Sequence, residues 1–251
     1  MEDTKPTHFE GKEAIGHVAE AQAKGLISST EIHGAEIPGH ISAGADSARE
    51  TAIALLVIWL ILSQTQTSFF ASLEILVIFS FGWAVWKAGR SAWLAWSRLE
   101  RMHRVVEQER WEIQHHRKQE REELTELYRA KGFEGKLLED AIEVLMADDE
   151  RLLKVMVEEE LCLNLGTYEH PLKQALGAFI GVLGASCASL LCYWAYPAQG
   201  IWIGSVASLV FASALSAYYE GNRIIPAICW NLGLGAMTSG TAYFLFDYVT
   251  D

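Results

Sequence analysis

The chain is poor in the residues that staple or interrupt a soluble domain, with only 4 Cys and 5 Pro among 251 residues. Cys187, Cys192 and Cys229 lie inside apolar runs and Cys162 lies in a charged segment, so no disulfide framework is implied. Charge is missing from two long stretches: residues 51–86 carry only Glu74, and residues 172–219 only Lys173. Residues 1–48 lack an apolar h-region, so no cleavable signal peptide is expected and the first apolar run would act as its own insertion signal. There is no nucleophile–base set and no phosphate-cradling glycine loop, which argues against an enzyme and against a catalytic cofactor. A net charge of -12 argues against a nucleic-acid partner.

What is present is sorted along the chain. Hydrophobic residues make up 51% of it, with 9 Trp, while residues 98–160 hold 18 of the 32 acids. A soluble protein interleaves the two classes. Measured against the roughly 20 residues a helix needs to cross hydrocarbon, five apolar segments qualify: 51–70, 69–90, 172–195, 201–220 and 224–247. The predicted fold is therefore an all-α polytopic membrane protein with about five transmembrane helices. Its expected parts are a tail over 1–48, spans one and two over 49–97, a polar helical domain over 98–170, and spans three to five over 171–251. The polar stretch Ser63 to Ser68 reads as a turn between the first two spans, with a re-entrant segment as the alternative.

Sidedness follows from the basic residues. With five spans, the connections 63–68 and 196–200 and the C-terminal tail share one side and contain no Lys or Arg. All 20 basic residues fall on the other side or at span ends facing it. The positive-inside rule then makes the N-terminus and the acidic block cytoplasmic and puts the C-terminus on the opposite side. Lys87 and Arg90 read as phosphate anchors at the cytoplasmic end of span two.

From Arg98 to Ala130 there is no Pro or Gly, so the second span is predicted to continue as one helix to a glycine cap at Gly132. A second helix near 135–147 carries Leu137, Leu138, Ala141, Ile142 and Leu145 at helical spacing. Asp148 or Asp149 is positioned to cap a third, running to about Asn164. On the first of these helices Glu109, Glu112, Glu120 and Glu123 fall at roughly 0°, 300°, 20° and 320°, one stripe within about 60°. Aligned carboxylates repel one another, and a divalent cation is the natural relief. The competing reading is a solvated face paired with Arg110, Arg117, Lys118 and Arg121. On a straight helix the stripe covers roughly 21 Å, too long for one ion, so it predicts two Glu-x-x-Glu clusters completed by other helices or another subunit. His116 falls inside the arc and His115 outside it. Met156, Glu159 and Glu160 on the third helix add a thioether to carboxylates, a set that suits Fe2+, Mn2+, Co2+ or Zn2+ better than Mg2+ or Ca2+.

These residues resemble the vacuolar iron transporter family. The resemblance is carried by the two Glu-x-x-Glu pairs, the segment Glu122 to Phe133, the run Met156 to Leu161, and Pro171 to Leu176 at the entry to span three. It implies five spans, a cytoplasmic metal-binding domain between spans two and three, and a homodimer that moves Fe2+ or Mn2+ out of the cytosol in exchange for protons. Glu109, Glu112, Glu120, Glu123, Met156 and Glu160 match the family's metal ligands, and Val157 stands where the family has an acid, with Glu158 or Glu159 as substitutes. The departures are in the membrane, where Leu56-Val57-Ile58 replaces Asn-Asp-Gly and Gly89-Arg90 replaces Gly-Glu. Glu74 is left as the one candidate pathway acid, with an interfacial carboxylate as its alternative reading. The expectations are thus a divalent-metal transporter, a non-conducting metal buffer, sensor or scaffold derived from that family, or a membrane-anchored coiled-coil adaptor.

Overall fold

The computed structural model describes residues 38–159 and 169–250. The described residues form eight helices and no strand: α1 (Gly39–Gln64), α2 (Phe69–His115), α3 (Arg117–Ala130), α4 (Gly135–Met146), α5 (Asp149–Glu159), α6 (Pro171–Ala195), α7 (Gly200–Tyr219) and α8 (Ile224–Thr250). They divide into two compact units, residues 38–98 with 169–250, and residues 99–159. The 47-residue α2 contributes to both.

In the first unit, α1, α6 and α7 pack at backbone contact. A Cβ on Gly177 would collide with the His40 carbonyl, and one on Gly181 with the Gly44 carbonyl. Glycine at these places lets two helices touch, as small residues do in membrane bundles. Position 40 meets 177 and 44 meets 181, so α1 and α6 run parallel. Gly200 meets Cys192 and Gly204 meets Ser189, so α7 runs back antiparallel. Buried hydroxyls fill the seams: Ser47, Thr51, Ser186, Ser189, Ser205 and Ser213 are all at most 3% exposed. Larger apolar side chains point outward instead, among them Phe70, Ile78, Val85, Ile180, Leu191 and Phe211. That inverts the pattern of a water-soluble domain.

Three helices, α2, α6 and α7, are long and apolar enough to cross a membrane. The other two expected spans, α1 and α8, are also long, at 26 and 27 residues, but carry Asp46, Arg49 and Glu50 in one and Asn231 and Asp247 in the other. Gln64 ends α1 and Phe69 starts α2, so 65–68 is a turn. Gln66 occupies the left-handed region (φ 54°), where the N–H of Thr67 reaches the Leu62 carbonyl and closes the helix end. α1 begins at Gly39, ten residues before the expected boundary, because its first turn is tied to the start of α6. The His40 N–H and Nδ1 meet the two Glu169 oxygens at 2.8 and 2.7 Å, and Lys173 Nζ donates to the same carboxylate at 2.8 Å. These charged and hydrogen-bonded groups hold the Glu169 carboxyl below its usual range, against the opposing effect of its burial, which is the largest single influence.

The second unit has one apolar core built by four helices: Ile113 of α2, Leu124 of α3, Leu138 and Ile142 of α4, and Leu152, Leu153, Met156 and Val157 of α5. The glycine end of α3 is as predicted. Gly132 has φ 91°, its N–H reaches the Arg129 carbonyl, and Phe133 N–H reaches that of Tyr128. The Tyr128 and Phe133 rings meet at 5.3 Å to complete the motif. Asp148 caps α5 by accepting the Arg151 N–H at 2.8 Å. Leu137, predicted on the apolar face, is instead 64% exposed, since its neighbour Leu138 takes the inward position and lies about 100° away around the helix.

Candidate metal centre

Glu109 and Glu112 lie near the end of α2, and Glu120 in the first turn of α3. One carboxylate oxygen from each lies within 4.8 Å of the others. Glu109 and Glu120 are buried, at 5% and 3% exposure, and Glu112 is partly buried and accepts Gln108 Nε2 at 3.0 Å.

This convergence corrects the continuous helix predicted over 98–130. Eleven residues of straight helix would separate Glu109 from Glu120 by about 16 Å of rise. The chain breaks at His116 (φ -124°, ψ 31°), and α3 restarts at Arg117. The carbonyl of His116 accepts the N–H groups of Gln119 and Glu120 at 2.8 and 3.2 Å, which opens the new helix. Trp111 holds both histidines at the break. The His115 ring stacks on it at 4.4 Å and hydrogen-bonds to its carbonyl at 2.8 Å, while His116 meets its edge at 5.4 Å. The exposed His116 thus marks the bend rather than joining the three glutamates. The only signal in the sequence was a histidine pair, of modest helix propensity, amid Glu, Arg and Gln. Arg117 then anchors α3, donating to Asp149 Oδ1 at 2.6 Å and to the Met146 carbonyl at 2.5 Å.

Three ionised carboxylates at this separation repel by on the order of 3 kcal/mol per pair at an effective dielectric of about 20. Burial pushes the Glu120 carboxyl up to about 8, reinforced by the charges of Glu109, Glu123 and Glu112. Its Oε2 is buried without a hydrogen-bond partner. The group is therefore arranged to hold a proton or a cation, and three oxygens from two helices are the donor set that hard and borderline divalent ions accept.

The other candidate residues lie apart from this triad or beside it. Glu123 is exposed on α3, one turn beyond Glu120, and acts on it through its charge. Met156 is fully buried in the apolar cluster that includes Ile113 and Leu124, each one turn beyond a member of the triad. Glu159 ends α5, and Glu160 lies outside the described residues. Glu74 is exposed, six residues into α2.

No curated protein matches the chain. The model of the VIT family, whose members are metal-ion transporters rather than enzymes, matches residues 94–246, more than half of the sequence. The match covers the triad and the two apolar helices α6 and α7, and the chain is accordingly an integral membrane protein that belongs to the VIT family.

Proposed function

We propose that this protein carries divalent iron or manganese out of the cytosol as a homodimer with five membrane spans per subunit. α1, α2, α6, α7 and α8 are those spans, and residues 99–159 form a metal-capture domain on the cytoplasmic side. The parallel course of α1 and α6 and the antiparallel course of α7 agree with such a chain, which crosses in alternating directions. In this reading Glu109, Glu112 and Glu120 take the ion first, and Glu123, Met156, Glu159 and Glu160 complete its shell within the subunit or across the dimer.

The observation that carries the reading is the approach of three carboxylates, two of them buried, to within 4.8 Å. A solvated, salt-bridged face does not collect its acids in this way, which disfavours the adaptor. The test is metal flux into proteoliposomes. Purified protein should load Fe2+ or Mn2+ into the lumen, and Glu120→Gln with Glu112→Gln should reduce uptake to the empty-liposome rate; uptake unaffected by both substitutions would refute the role given to the triad.

A second reading, a non-conducting buffer or sensor, has its own support. Among the described residues of the first unit there is no cluster comparable to the triad, and Glu74 faces outward. In that case the protein binds Mn2+ saturably and the lumen stays empty.

A further inference from the structure

The first unit contains a charge pair that the triad does not use. Lys87 of α2 is 5% exposed, and its Nζ lies 2.7 Å from Oε2 of Glu50 on α1. The sequence placed Lys87 at the cytoplasmic end of span two, reaching for phosphate; in the structure its side chain is enclosed and turned to Glu50 instead. Gly44 packs between positions 177 and 181 of α6, so Glu50, six residues on along a parallel helix, is level with positions 183–187. α6 runs from Pro171 to Ala195. At 1.5 Å per residue the pair is about 18–24 Å from one end of that helix and about 12–18 Å from the other. On the helices that carry the pair, Lys87 lies about 27 Å along α2 from Phe69 and Glu50 about 21 Å back along α1 from Gln64, so the pair falls within a hydrocarbon layer about 30 Å thick, toward the side away from the α1–α2 turn.

An ionisable group at such depth is costly and marks ion or proton pathways more often than it serves packing. Glu50 also keeps an open side: its side chain is 48% exposed, whereas that of Lys87 is enclosed. The neighbouring acid one turn earlier, Asp46, is already paired with Arg49. Lys87 therefore fills the position beside the Glu50 carboxylate that a free cation would take. It differs from such a cation in being covalently attached.

We infer that Lys87 is a tethered competitor for divalent cations at Glu50, a gate within the membrane that a metal ion must displace before it can pass. Passage of the ion rests on the transport reading; competition at Glu50 does not. The experiment uses full-length protein bearing Glu112→Gln and Glu120→Gln, so that Mn2+ at the triad does not obscure the result. Lys87→Met keeps the length and apolar stem of the enclosed side chain, and Lys87→Gln is the second variant.

Dicyclohexylcarbodiimide, which modifies protonated carboxyls in apolar surroundings, should label Glu50 weakly when Lys87 is present and several-fold more in either variant. Mn2+ should protect the variants, and adding Glu50→Gln should abolish the label. Flux is measured separately in proteins that retain the triad, where either variant should raise Mn2+ uptake several-fold. Protection without uptake in any protein would retain the competition at Glu50 and refute transport, and with it the gate. Folded variants that stay unlabelled, or that label without Mn2+ protection, would overturn the inference. So would failure of both variants to fold, because the pair would then be a structural tie.

Discussion

Glu109 and Glu120 belong to different helices, and a bend at a single residue, His116, brings a carboxylate oxygen of each to within 4.8 Å of the other. The same bend exposes their mutual repulsion to burial. A site built in this way should respond to protons and to metal in opposite senses.

The first prediction concerns pH. With its carboxyl raised to about 8, Glu120 must release a proton when it ligates an ion, so Mn2+ affinity should fall by up to about tenfold for each pH unit below 8. Calorimetric titration in buffers of different ionisation enthalpy should register the released proton. Stability of the metal-free protein should move the other way. Because the folded-state value lies above the unfolded one, the contribution of this carboxyl is fully present below about 4.5 and is lost as pH rises through about 8. Glu120→Gln should therefore raise the unfolding temperature of metal-free protein at pH 8 while weakening Mn2+ binding. A fall in both would show that the carboxylate is held by a permanent partner.

Much of this arrangement was legible in the sequence, for identifiable reasons. The glycine end at Gly132 and the cap at Asp148 are local, each set by a few neighbouring residues, and both formed where expected. The turn after Gln64 was legible because a polar run interrupts an apolar one. The break at His116 was not. It depends on Trp111 holding two rings and on Arg117 reaching Asp149, contacts between helices that periodicity does not encode. Of the predicted stripe of four glutamates, Glu109, Glu112 and Glu120 converge and Glu123 stays exposed beside them, because the stripe was laid out on a straight rod and the chain breaks at His116. The pairing of Glu50 with Lys87 was missed for a similar reason, since which side chains of α1 and α2 meet is set by packing between helices and not by position along an apolar run.

A second prediction tests that register. Gly181→Ala forces a Cβ into the Gly44 carbonyl, where backbone and not a flexible side chain must yield. It should cost about 1–3 kcal/mol, read as a lower aggregation temperature in detergent by size exclusion. Gly184→Ala, one turn on, meets nothing within 4 Å and should be neutral.

The corner at Arg117 gives a third. The side chains of Arg117 and Asp149 are 45% and 60% exposed, so water screens the pair and Arg117→Ala should lower stability by no more than about 1 kcal/mol. Its larger effect should be on Mn2+ affinity, because the same guanidinium positions the first turn of α3, where Glu120 sits. Double-mutant analysis with Asp149→Ala would show whether that effect passes through the ion pair. Equal losses in the single and double variants are expected.

Met156 offers the sharpest separation of packing from ligation. It is fully buried among Ile113, Leu124, Leu152 and Val157, so Met156→Ala should cost about 2–5 kcal/mol by leaving a cavity, whatever its chemistry. Met156→Leu nearly conserves volume and should cost less than about 1.5 kcal/mol. Leucine carries no donor atom. If the sulfur completes the shell of the captured ion, the leucine variant should keep its unfolding temperature and yet bind Fe2+ and Mn2+ more weakly, with the larger loss for Fe2+, which tolerates softer ligands. If Met156 only fills the core, Fe2+ and Mn2+ affinities should both match those of the wild-type protein. Measuring the two ions side by side on the same preparation tells these outcomes apart, since a general loosening of the bundle would weaken both ions alike.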